Sequence, residues 1–170
     1  TSGGWLGISP NVGGVTRIWN GTSWSQGPNM VRGVADGYWS APTYSGQARA
    51  ASYAAGTGLA DAALAIGGDS GPGHWGKWTE CFDGTSWTEV GLLAYNWRGN
   101  KAAGTSTDAI TFQTSTTYKW DGTSWSTAAS MLSNAATYGG GAGTAQAGLS
   151  VGGHTQNCNT QHFIANLIST

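Results

Sequence analysis

Charge is what this 170-residue chain has least of. Asp, Glu, Lys and Arg together make up 9% of it, against roughly a quarter in an ordinary globular domain. With 7 Lys and Arg and a formal net charge of -1, it offers no basic patch for a nucleic-acid backbone. No apolar run approaches the roughly 18–20 residues that a membrane-spanning helix requires. Cysteine is almost absent as well. Cys81 and Cys158 stand in no CxxC pair, and His162, four residues beyond Cys158, lacks the two further ligands of a zinc site. The two cysteines are therefore either one disulfide or a pair of unpaired, buried small side chains, and the second reading is preferred. Neither a metal nor a cofactor is expected. The chain opens at Thr1 with no apolar leader, which suits a processed mature chain or an excised fragment, both compatible with export.

What is present is glycine (29) and tryptophan (10), within an apolar fraction of 39% that is too high for a disordered chain. The length suits one domain, residues 1–170, with a core of its own. The aromatic residues recur in a pattern. Trp19-Asn20-Gly21-Thr22-Ser23-Trp24, Phe82-Asp83-Gly84-Thr85-Ser86-Trp87 and Trp120-Asp121-Gly122-Thr123-Ser124-Trp125 are nearly identical, and each follows a β-rich stretch. Asn-Gly or Asp-Gly between such stretches predicts a hairpin with a tight primed turn, in which Gly and Asn or Asp tolerate positive φ. A decayed fourth copy, Thr160-Gln161-His162-Phe163, carries Ile164-Ala165-Asn166 in place of the turn. The Thr residues at 16, 79, 117 and 160 are spaced by 63, 38 and 43 residues, the range of a propeller blade.

A second element precedes each hairpin. Ala54-Ala55-Gly56-Thr57 leads to Ala63-Leu64-Ala65-Ile66-Gly67-Gly68, and Ala102-Ala103-Gly104-Thr105 to Ala109-Ile110-Thr111-Phe112-Gln113. Gly143-Thr144 leads likewise to Ala147-Gly148-Leu149-Ser150-Val151-Gly152-Gly153. Alternating small and large apolar residues followed by a Gly-Gly break predict an inner strand pair packed tightly against neighbouring sheets. Two inner strands and two hairpin strands make four per unit.

The double glycine after an apolar strand, followed by the aromatic-Asp turn and a Trp, resembles the kelch-type propeller repeat. The Asp-Gly-Thr-Ser-Trp form is similar to repeats of bacteriophage and prokaryotic extracellular structural proteins. The resemblance covers nearly the whole chain and speaks to architecture more than to activity. It implies an all-β fold: a small β-propeller of four blades, mostly of four antiparallel strands, with units near 1–26, 27–90, 91–128 and 129–170. From Thr160 round to Thr16 only 26 residues remain, 12 fewer than the shortest internal spacing. About one strand is then missing at the seam. Pairing of the termini, a strand from a neighbouring subunit, or membership of a larger propeller would each supply it. An insertion over about 26–47 holds Tyr38, Trp39 and Tyr44, which suit a recognition or assembly contact, or a cover over the open end of a small core.

Candidate chemistry is thin. Asp83 and Asp121 occupy the repeat turn, and Asn20 stands there in the first copy; Asn is neither general acid nor nucleophile, so backbone geometry explains the position. No convergent carboxylate pair for a glycosidase stands out. The motif is one residue short of the sialidase Asp-x-Gly-x-Thr-Trp box, and Arg17, Arg32, Arg49 and Arg98 lie on different elements. His74, His154 and His162 sit in no nucleophile-elbow context, and a metal shared by His74 and His154 is weaker than the plain reading of two turn residues. Gly139-Gly140-Gly141 lacks the Lys-Ser/Thr of a phosphate loop. Asn20-Gly21-Thr22 matches a glycosylation sequon, but the turn explains it better.

The sequence reads as a non-enzymatic structural protein that assembles with copies of itself, as an extracellular filament or tube or on a virion surface. Few charges mean little desolvation cost on forming large contacts. The alternative is a carbohydrate-binding propeller. There Trp5, Trp39, Trp75 and Trp97 are the sugar-contact candidates, because Trp24, Trp87 and Trp125 recur in register as inter-blade packing requires. Expected partners are a second copy of the chain or a glycan, with neither nucleic acid nor membrane insertion.

Overall fold

Short apolar runs of period two, separated by Gly-rich turns, can bury their residues only as strands. The structure is a computed structural model that describes residues 16–31, 55–69, 75–95, 99–131, 139–152 and 160–164, and those residues contain strands and no helix. β1 (Arg17–Trp19) and β2 (Trp24–Gln26) form a hairpin. β3 (Ala55–Leu59), β4 (Ala62–Asp69), β5 (Trp75–Phe82) and β6 (Trp87–Leu92) follow as a four-stranded antiparallel meander. β7 (Lys101–Gly104), β8 (Ala109–Gln113), β9 (Thr116–Trp120) and β10 (Trp125–Ala128) repeat it. β11 (Gly140–Gly143), β12 (Ala147–Val151) and β13 (Thr160–Ile164) make a three-stranded sheet. The four-stranded unit expected from the repeat is thus present twice. No closure of the sheets into a ring is seen among the described residues.

Register aligns the units residue by residue. Thr79 pairs with Ile66, Thr117 with Phe112 and Thr160 with Val151. By that register Gly58, Gly104 and Gly143 are equivalent, facing Ala63, Ala109 and Gly148. The sequence match of Gly56 to Gly104 is therefore two residues out. The equivalent glycines end the first strand at positive φ, and a Cβ on any of them would run into the carbonyl oxygen of the next strand's start, Asp108 in the case of Gly104. The double glycine of β4 is a bulge rather than a break: pairing shifts between Ile66 and Gly68 and the strand continues to Asp69.

The hairpin turns also differ from expectation. Four residues, not two, separate the last strand pairs Trp19–Trp24, Phe82–Trp87 and Trp120–Trp125. Only the glycines among them have positive φ, at 98°, 95° and 95° for Gly21, Gly84 and Gly122. A primed turn needs positive φ at the Asn or Asp as well. Here the side chain acts instead by hydrogen bonding: Asp83 Oδ1 accepts from the amides of Thr85 and Ser86 at 2.8 Å each, and Asn20 Oδ1 accepts from those of Thr22 and Ser23 at 2.9 and 2.8 Å.

The sheets pack face to face in chain order. Ile18 joins Met30, Ala65, Phe82 and Trp87 between the first hairpin and the second sheet. Leu64 and Ile66 meet Ala102, Ala109, Tyr118 and Trp120 between the second and third. Ile110 and Phe112 meet Phe163 between the third and fourth. The Gly-rich first strands lie together: β7 touches both β3 and β11. Thr57 Oγ1 donates to the Gly104 carbonyl at 2.7 Å, and Gly141 rests on the Ala102 backbone with no room for a Cβ. Small residues are required there because backbones, not side chains, form the contact.

Gly104→Ala is expected to cost about 1–3 kcal/mol, the scale of a forced backbone conformation. A urea denaturation curve at unchanged slope, with the midpoint lowered, checks this.

Candidate functional site

Tryptophan buries a large ring but brings an N–H that must find an acceptor. The repeat solves this between sheets. Trp87 at the start of β6 donates from Nε1 to Thr16 Oγ1 of the preceding unit at 2.8 Å. Trp125, at the start of β10, donates to Thr79 Oγ1 at 2.7 Å. The Thr whose spacing marks the repeat is thus the acceptor for the next unit's Trp. Each Trp also packs on its partner across the hairpin, Phe82 on Trp87 with centroids 5.1 Å apart and Trp120 on Trp125 at 5.3 Å.

Both ends of the series break the rule. At the front, Trp19 and Trp24 form the same cross-strand pair, with centroids 5.4 Å apart. Yet they are 45% and 57% exposed, whereas Phe82, Trp87 and Trp120 are 2%, 6% and 1% exposed. Ile18 packs on the second sheet, so strand alternation turns Trp19 to the opposite face of the hairpin. At the back, Thr117 is fully buried and its Oγ1 has no hydrogen-bond partner among the described residues. The sequence position that corresponds to Trp87, counted from Phe163, is Ile168, which lies outside the described residues. On the far side of the fourth sheet, Val151 is 42% exposed, while its equivalents Ile66 and Phe112 are covered.

A cleft of about 640 Å³ opens beside the hairpin, lined among others by Thr16, Trp19, Trp24, Thr57 and Leu59. It is open and holds no cluster of titratable groups. Among the described residues no group of three or more His, Cys, Asp or Glu is placed to hold a metal. Two buried ionisable side chains lie at the junctions instead. Glu80 accepts from the Val31 amide at 2.7 Å. Lys101 donates from Nζ to Ser150 Oγ at 3.1 Å and to the Gly152 carbonyl, and desolvation lowers its pKa.

The residues singled out from sequence divide clearly. Asn20, Gly21, Asp83, Gly84, Asp121 and Gly122 form the exposed hairpin loops, and Trp87 and Trp125 are junction residues. Trp24 is built like them but faces out. Trp75 opens β5 opposite Asp69. Tyr38, Trp39, Tyr44, Trp5 and Trp97 lie outside the described residues, as do His74, His154 and Cys158. Cys81 carries a free thiol whose pKa is raised, first by burial and then by Asp83. Sequence reading missed the role of Thr16 and Thr79 as acceptors, although the recurrence of Thr ahead of each aromatic loop was the available signal.

No protein-family model and no curated protein matches the chain. Its shape does match solved structures, 65 chains in all. One, described as "Structure of YjhT", is similar with a TM-score of 0.56 at 16% identity, over 81% of this chain and 44% of that one. The chain therefore spans less than half the length of that neighbour, and the likeness is one of fold.

Two outcomes follow from the junction and the loops. Thr79→Val leaves the Trp125 N–H unsatisfied and is expected to cost about 1–3 kcal/mol, whereas Thr117→Val removes an unpaired buried hydroxyl and is expected to gain about 1 kcal/mol. Parallel chemical denaturation of the two variants reads the opposite signs. In the loops, hydrogen bonds from Ser86 and Thr85, and from Thr123 and Ser124, hold the Asp83 and Asp121 pKa values below the ordinary carboxylate range. Their stabilisation is complete above the unfolded value near pH ~4 and is lost as pH falls further through the lower folded value. Asp83→Asn with Asp121→Asn keeps the Asn20 geometry and should flatten the fall of melting temperature below that pH.

Proposed function

We propose that this chain is a non-enzymatic structural unit built on a kelch-like propeller plan, whose copies join into an extracellular or virion-surface assembly. The observation that carries the reading is the Trp19–Trp24 pair. The equivalent pairs pack against a neighbouring sheet, with Phe82, Trp87 and Trp120 buried and Trp125 partly buried, whereas Trp19 and Trp24 are exposed. Exposed paired tryptophans with no covering sheet among the described residues are costly in a monomer and suit a contact surface. The meandering sheets with their Gly-rich first strands gathered together support the propeller plan. Low charge supports assembly, since few charged groups need desolvating when large surfaces meet.

A second reading rests on the cleft. Trp19 and Trp24 at its side, with the hydroxyls of Thr16 and Thr57, offer stacking faces and hydrogen-bond groups for a sugar ring.

Purified chain at rising concentration is expected to scatter as particles much larger than 17.4 kDa, with regular objects in negative stain. A monomer that persists at millimolar concentration removes the assembly reading. Binding on a glycan array that is lost in Trp24→Ala would replace it with the second.

A further inference from the structure

The geometry points to a polar, head-to-tail junction between copies: the Trp19–Trp24 face of one copy seats on the β12 face of the fourth sheet of another, around Leu149 and Val151. This rests on the assembly reading above and names its two surfaces.

At the junction of the second and third sheets, a face bearing the aromatic pair meets a face bearing two large β-strand residues of the preceding sheet. Phe82 and Trp87 close on the Ile18 face of the first hairpin. Trp120 and its neighbours close on Leu64 and Ile66 of the second sheet. By register Leu64 and Ile66 correspond to Ile110 and Phe112 in the third sheet and to Leu149 and Val151 in the fourth. The third sheet's pair is fully covered, while Leu149 is half-buried and Val151 exposed.

Among the described residues, one aromatic face and one aliphatic face are thus left exposed, and they are equivalent to the two halves of the contact between the second and third sheets. Gly148, on the other side of β12, already rests on Phe112 and Ile110, so the fourth sheet's inner face is occupied and its Val151 face is the one that remains. Because the surfaces differ, the contact is heterologous, and successive copies add in one direction. The second hairpin's Trp87 shows what the docked Trp24 gains: cover for the ring and an acceptor for its N–H.

The test uses two single variants of the full chain, Trp24→Ala and Val151→Lys, each at an exposed position, compared with wild type by sedimentation velocity. Each alone is expected to weaken self-association roughly 30-fold or more, as a hot-spot residue does. Mixed in equal amounts they are expected to form dimers that grow no further, because one intact junction remains per pair. Circular dichroism and melting temperature verify folding, and Trp19→Ser replaces Trp24→Ala if that variant unfolds. Assembly of Val151→Lys at wild-type strength, or a mixture that stays monomeric with both variants folded, overturns the polar junction while leaving self-assembly standing. A wild-type chain that never associates overturns both.

Discussion

An indole N–H cannot be buried against a hydrocarbon face without forfeiting a bond it would have made with water. The placing of one threonine hydroxyl where that N–H arrives makes the stacking of these sheets possible. Trp87 reaches Thr16 and Trp125 reaches Thr79 across gaps of 71 and 46 residues in the chain. The bond fixes more than a distance. It helps set the lateral register of one sheet on the next, and in that register the Trp120 ring lies against Gly91 of the preceding sheet. Gly91 shows how tight the fit is, since a Cβ there would meet the Trp120 ring at 2.9 Å. Packing at this density tolerates little change of volume.

Much of this was legible in the sequence, and the limits are physical. The hairpins could be read because everything that makes them lies within a few residues: an aromatic, an Asx side chain, a glycine and two hydroxyl residues. Even so, Asn20, Asp83 and Asp121 were credited with a backbone preference when their carbonyl or carboxylate oxygens do the work, because residues that favour primed turns also favour loops capped by side chains. Strand pairing was harder. Gly56 and Gly104 look alike next to their Ala and Thr neighbours, yet Gly58 is the true counterpart, and only the ladder from Ala55 to Ile66 reveals the two-residue offset.

The junctions were the least visible feature. That Thr79 recurs was evident; that its hydroxyl serves a tryptophan in the next unit required knowing which strand faces which. The exposed state of Trp24 was hidden for the same reason. Its local sequence is that of Trp87 and Trp125, so nothing near it distinguishes a buried ring from a free one. The difference lies in what stands opposite, and that is a property of the series, not of the residue.

The third junction has a mechanical meaning. In a stack where each unit touches only its neighbours, separation starts at the weakest contact. Between the third and fourth sheets no indole bond is seen among the described residues, where Thr117 Oγ1 meets no donor, and the Lys101 ammonium is drawn out of water toward Ser150 Oγ and the Gly152 carbonyl. The second and third sheets, joined by Trp125 and Thr79, form the firm centre. The stack is therefore softer at one end than in the middle, and a pulling force would peel off its last sheet while the core held. Directional weakness of that kind would let a joined series of such units yield one sheet at a time instead of snapping.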